Sequence, residues 1–194
     1  MYYLQALAYK NQQKFKLTKQ KYLQNIHLIR QLFGDTHEEI AFNYKLLGRV
    51  FLQQLQLKKK AQSSDSALYY LKKSATLYEE IRPLNRAELG QIHVNIGAVQ
   101  AARRNYKLAE KNYRQAYELL QDAYGKYSPN LVNLYGNWSG IYWESKQYDK
   151  ELEVLQKQLM ANSRAHRDSN IYTNPKTNDY YNIIFKIGGL SNKA

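Results

Sequence analysis

The sequence predicts an all-α fold, an α–α superhelix of about four helical hairpins followed by a terminal helix, and three observations predict it. Apolar residues recur at helical spacing along the chain. Only 3 Pro and 9 Gly occur among 194 residues, too little punctuation for many short strands. Small and aromatic residues also return at a fixed offset: Asn95, Ile96, Gly97 and Tyr106 map onto Asn137, Trp138, Ser139 and Tyr148, 42 residues further on. Counting back, Leu47-Gly48 precedes Ile96-Gly97 by 49 residues and Phe33-Gly34 precedes Tyr124-Gly125 by 91, so both offsets exceed multiples of 42 by seven. One insertion between Gly48 and Ala67, where Lys58-Lys59-Lys60 and Ser63-Ser64 sit, explains both, and either a helix or its loop is expected to run long there.

The elements follow in order. Helix 2–11 opens the chain inside the leading helix of a pair, an abrupt beginning that predicts a piece of a longer protein. Helix 15–33 rests on the stripe Phe15, Tyr22, Ile26, Ile29 and Phe33, and Gly34 can take the left-handed backbone that ends it. Helix 37–57 starts with Glu38-Glu39, acids suited to the positive end of a helix dipole. Helix 65–81 is closed by Pro83. Helices 85–103 and 106–124 carry the repeat landmarks and end at Gly125. Helix 129–145 begins at Ser128-Pro129, a capping side chain before a proline suited to the first turn, and helix 148–166 follows. Asn174-Pro175 opens helix 176–189, whose Tyr180, Ile183, Ile184 and Ile187 have the spacing to cap the array. The repeats are thus 1–34, 37–82, 85–125 and 129–167, in one domain spanning 1–194.

The pattern Leu47-Gly48-x-x-Phe51, Ile96-Gly97-x-x-Gln100 and Trp138-Ser139-x-x-Tyr142, each followed by an Ala- or aromatic-anchored second helix, resembles the tetratricopeptide repeat. The small residue lets the first helix of a pair sit close to the second. The period is longer than the usual one of about 34 residues. With Gly34-Asp35-Thr36-His37 and Gly125-Lys126-Tyr127-Ser128-Pro129 between repeats, it is similar to the kinesin light chain class. Glu151, Ser74 and Gln158 depart from the pattern by standing where small residues usually pack.

Composition narrows the function. Without cysteine there are no disulfides, thiolate metal sites or cysteine nucleophiles. His27, His37, His93 and His166 lack metal-ligand spacing, and no phosphate loop or Gly-x-Ser-x-Gly elbow occurs, so neither an enzyme nor a cofactor is expected. Glu38-Glu39 and Glu79-Glu80 are adjacent pairs that diverge on a helix, the former read as dipole compensation in a first turn and the latter as a solvated helix end. No segment approaches the ~20 apolar residues of a membrane span, so the chain is expected to be soluble and not inserted in a membrane. The compartment is open, with the cytoplasm favoured over the periplasm or secretion, and the oligomeric state is open too.

Stacked hairpins turn their first helices toward a concave groove, and the expected function is to hold a peptide or protein segment there. Lys45 and Arg49, one turn apart, are placed to hold one carboxylate or phosphate, which suggests an acidic group on the partner. Asn95 and Asn137 recur at one position, where a carboxamide can grip an extended backbone, as the resemblance implies; Asn182 can hold the same place in the terminal helix. Ala98 keeps the middle of the groove smooth. Gly136 and Gly140 leave a depression beside Trp143, unless another helix, such as 176–189, packs on them, while Trp138 falls in the core.

The formal charge of +13 keeps a nucleic-acid partner as an alternative. Lys10, Lys14, Lys16, Lys19 and Lys21 form the densest basic tract and read as a convex edge, whereas a basic stripe crossing the repeats would favour nucleic acid. A third reading is a regulatory module of a larger protein whose groove is filled by the same polypeptide.

Overall fold

A computed structural model of the protein describes residues 2–58, 62–81 and 85–169, together with Gly189. The described residues form α1 (Tyr2–Asn11), α2 (Phe15–Phe33), α3 (Glu38–Lys58), α4 (Gln62–Ile81), α5 (Arg86–Ala102), α6 (Tyr106–Tyr124), α7 (Val132–Glu144) and α8 (Tyr148–Ser169). No strand occurs among them. Pro83, Asn182 and residues 176–188 of the expected helix 176–189 lie outside the described residues.

Helices 2–11, 15–33 and 106–124 fall where the sequence places them. The other boundaries shift for local reasons. His37 stays outside α3 because its ring accepts a hydrogen bond at Nδ1 from the backbone N–H of Glu39, 3.2 Å. Asn85 caps α5 in the same way, its side chain accepting from the Glu88 N–H at 3.3 Å. Ser128 Oγ accepts from the Asn130 N–H, and Pro129–Leu131 turn as a single 3-10 helix before α7 begins. The insertion lengthens helices: α3 has 21 residues against 17 in α5 and 13 in α7, and α4 starts three residues before its expected Asp65.

Two kinds of chain reversal alternate. Between hairpins, Gly34 (φ 85°, ψ −174°) and Gly125 (φ 84°, ψ 155°) end α2 and α6 in a region open essentially to glycine alone. Within hairpins the chain reverses through Gln13, Arg104 and Lys146, non-glycine residues with φ of 54°, 61° and 58°. At each, the following N–H reaches back five residues, Lys14 to Tyr9 O, Asn105 to Gln100 O and Gln147 to Tyr142 O, all at 2.9 Å. Bonds spanning three residues join the N–H of Gln13 to Lys10 O, of Arg104 to Ala101 O and of Lys146 to Trp143 O. This is the two-bond Schellman closure, repeated at the 91- and 42-residue offsets of the sequence.

The core is a chain of neighbouring patches. Ala6, Phe15, Tyr22, Ile26, Ile40 and Leu47 join the first two hairpins; Leu52, Ala67, Leu71, Tyr78, Ile92 and Ile96 join the second and third; Val94, Tyr113, Leu120, Leu134, Trp138 and Ile141 join the last two. Trp138 is therefore core, as its register implies. Each patch touches only the next, so stability propagates between neighbours. Close helix pairing depends on glycine: a Cβ on Gly48 would stand 2.5 Å from Leu71 Cγ, and one on Gly90 2.6 Å from Leu120 Cγ. The departures from the repeat pattern are absorbed. Ser74 Oγ donates to Ala41 O at 2.7 Å, and Gln158 Nε2 reaches Val132 O at 3.5 Å. Glu151 is fully buried at its place on α8.

Candidate functional site

Leading helices touch across hairpins, α3 against α5 and α5 against α7. The side on which successive helices close together is the inner side of the stack. Between α5 and α7 it holds a depression of about 450 Å³ whose lining includes Ala98, Asn137, Gly140 and Trp143. Lys45, Arg49 and Asn95 are not part of that lining.

The floor is bare by construction. Ala98, Ala101 and Ala102 face it from α5, and Gly136 and Gly140 from α7. A Cβ on Gly140 would meet nothing within 4 Å, and one on Gly136 only Gln158 Nε2 at 3.5 Å, an ordinary contact. Among the described residues, then, nothing packs on Gly140, and only the Gln158 side chain of α8 touches Gly136. Below the alanines lies Tyr113, 1 % exposed, in the space that the absent side chain of Gly97 leaves.

Trp143 forms one rim. Its indole is 41 % exposed and meets the Tyr148 ring edge-on, with centroids 5.8 Å apart. Asn137 is half-buried in the wall, its Nδ2 3.5 Å from Asn133 Oδ1, a long contact for a hydrogen bond. Asn95 is half-buried on α5, one turn before Ala98.

The two cations of α3 have separate fates. Lys45 is 7 % exposed and its ammonium is paired with the Glu88 carboxylate of α5, with Nζ also 4.6 Å from the Phe42 ring centroid. It ties two hairpins together, so the pairing with Arg49 around one anion that the four-residue spacing suggested is replaced by an internal salt bridge. Arg49 is exposed. Burial, and then the nearby Arg49 charge, holds the Lys10 ammonium below its ordinary pKa.

Among the lining residues that the sequence does not single out are Gln56, Arg104 and Glu144. Arg104 had no readable signal, being an ordinary polar residue at the reversal position that recurs at Gln13 and Lys146. Gln56 had none, because its proximity depends on how far the lengthened α3 extends.

Among the described residues, no helix is long and apolar enough to cross a membrane, and no group of His, Asp or Glu side chains could hold a metal ion. Residues 88–159 match the family model described as "Tetratricopeptide repeat". No curated protein gives a significant match. Among solved structures, the crystal structure of BtubC (BKLC) from P. vanneervenii is similar in fold, with a TM-score of 0.76 and 17 % identity over 95 % of this chain and 68 % of that one. Residues 88–159 thus match the tetratricopeptide repeat, and the chain as a whole shares the all-α fold of stacked helical hairpins with that structure.

Proposed function

We propose that the chain is a binding module that holds an extended segment of a protein or peptide in the depression between α5 and α7 and acts by binding alone. Tetratricopeptide repeats generally mediate protein–protein interaction, and the observation that carries the reading here is the open space at Gly140. A glycine inside a helix costs roughly 0.5–1 kcal/mol against alanine. Packing accounts for Gly48, Gly90 and Gly97, each of which has a neighbour too close for a Cβ, but among the described residues it does not account for Gly140. A ligand backbone lying against α7 does. Trp143 supplies an aromatic anchor of the type that dominates interface energetics. Asn137 offers a donor and an acceptor to a passing main chain whatever its side chains. Arg49, exposed on α3, suits an acidic group on the partner.

The nucleic-acid reading draws on residues 2–33, where Lys10, Lys14, Lys16, Lys19, Lys21 and Arg30 face no acid within the hairpin. Beyond that hairpin Lys45 is taken by Glu88 and Arg103 by Asp65, and the lining of the depression carries an acid, Glu144, beside Arg104. A protein segment is therefore favoured over a polyanion.

Random dodecapeptides displayed on phage, selected on the immobilised full chain and measured against Gly140→Leu, test this. The leucine enters open space, so the variant is expected to keep its Tm while binding the selected peptides about tenfold more weakly, about 1.4 kcal/mol. Equal affinity for both proteins would show that the depression is not the site.

A further inference from the structure

A second cavity, of about 700 Å³, opens beside the first, between the start of α4 and the turn from α5 to α6. Gln56, Ala102 and Arg104 line both. The depression therefore does not stop at α5: it bends at Arg104 and continues toward α4. The charges along it differ in their engagement. Arg103 is committed, donating from Nε and Nη2 to Ser64 Oγ at 2.8 and 2.7 Å and pairing with Asp65. Arg104, its neighbour, is exposed and has no side-chain hydrogen bond or ion pair among the described residues. At the opposite end Glu144 lines the first cavity, also exposed and also without such a partner among the described residues.

We infer that Arg104 reads the charge of the ligand, and that the occupant is an extended peptide segment setting a carboxylate side chain over Arg104 and turning a basic or uncharged residue toward Glu144. The inference rests on the peptide-binding reading above and adds polarity to it: the segment has one acceptable direction and one acidic position. Three features of the site argue for it. The guanidinium is a planar fork of donors that matches a carboxylate, and Arg103, already neutralised by Asp65, does not compete for the ligand. The stem of Arg104 leaves a fixed backbone, because its own N–H bonds to Ala101 O at 2.8 Å and the next to Gln100 O at 2.9 Å. Its φ of 61° is one that glycine would adopt more readily, so the arginine stands there against the conformational preference of the turn.

That last feature separates binding from folding in a single substitution. Arg104→Gly relieves the backbone and removes the cation, so its Tm should rise while its affinity for the peptides selected on the native chain falls about tenfold or more. Arg104→Glu should reverse the selection: Asp or Glu enriched at one position by the native chain should give way to Lys or Arg at that position, and the charge-reversed peptide should bind the variant better than it binds the native chain. Peptides that lose affinity for Gly140→Leu but bind both Arg104 variants as they bind the native chain would overturn the role of Arg104 and leave the groove standing. Peptides indifferent to Gly140→Leu as well would overturn both.

Discussion

Gly97 and Tyr113 meet where α5 crosses α6, so closely that a Cβ on the glycine would lie 2.4 Å from Tyr113 Cε1 and 2.6 Å from Cδ1. The ring is 1 % exposed and packs against Trp138, with centroids 6.4 Å apart, so it has nowhere to withdraw. Gly97→Leu should therefore destabilise by about 1–3 kcal/mol through overpacking. Gly140→Ala, in open space on α7, should stabilise by up to ~1 kcal/mol through helix propensity. Urea denaturation of both variants checks the pair, and a loss at Gly140 or none at Gly97 would contradict this packing.

The chain reversals give a second pair with opposite signs. Gly125→Ala places a methyl where nothing lies within 4 Å, yet φ 84° with ψ 155° excludes other residues, so a cost of about 1–3 kcal/mol is expected from the backbone alone. Lys146→Gly, at φ 58° in the Schellman closure after α7, should gain roughly 0.5–1 kcal/mol. Thermal melts of the two variants should move in opposite directions.

These reversals also mark what was legible in the sequence. Gly34 and Gly125 announce themselves, because a glycine after a helical stripe has few other uses. Gln13, Arg104 and Lys146 do not, since each is an ordinary polar residue whose left-handed backbone is imposed by the bonds around it. The same division holds for the site. Ala98, Asn137, Gly140 and Trp143 were readable because helical spacing fixes which residues share a face, and the structure places them around one depression. Lys45 was expected as a groove cation and is instead the buried partner of Glu88, a pairing that depends on how closely α3 approaches α5. Periodicity reports faces; it does not report which charges on neighbouring faces have already found each other.

The tyrosines predict how the fold fails in base. Burial pushes the phenols of Tyr22 and Tyr142 up to about 12, and raises those of Tyr78, Tyr113 and Tyr135 as well. A folded-state value above the unfolded one means that stability is complete below about pH 10, where unfolded phenols begin to ionise, and is lost as the pH rises toward the folded values. Each such tyrosine removes about 1.4 kcal/mol per pH unit in that window. Helical circular dichroism should therefore collapse cooperatively above about pH 10, together with a step in phenolate absorbance. Phenolate appearing gradually while the helix signal persists would show that these rings are open to solvent.

The Lys45–Glu88 bridge allows the sharpest test of how the hairpins are joined. The side chain of Lys45 is 8 % exposed and that of Glu88 28 %, so the lysine has little access to water once its partner is gone. Removing the carboxylate alone, in Glu88→Ala, strands a buried cation and should cost about 2–3 kcal/mol. Removing the cation, in Lys45→Met, keeps the apolar stem against Phe42 and leaves a partly solvated carboxylate, so a cost under about 1 kcal/mol is expected. The double variant should then be close to Lys45→Met alone, and well above Glu88→Ala in stability, because the damage in Glu88→Ala comes from the stranded ammonium and not from the broken bridge itself. A double-mutant cycle from urea midpoints measures this directly. Additive losses would mean that the two groups do not depend on each other, and that α3 and α5 are held together by Leu52, Ile92 and Ile96 without help from the bridge.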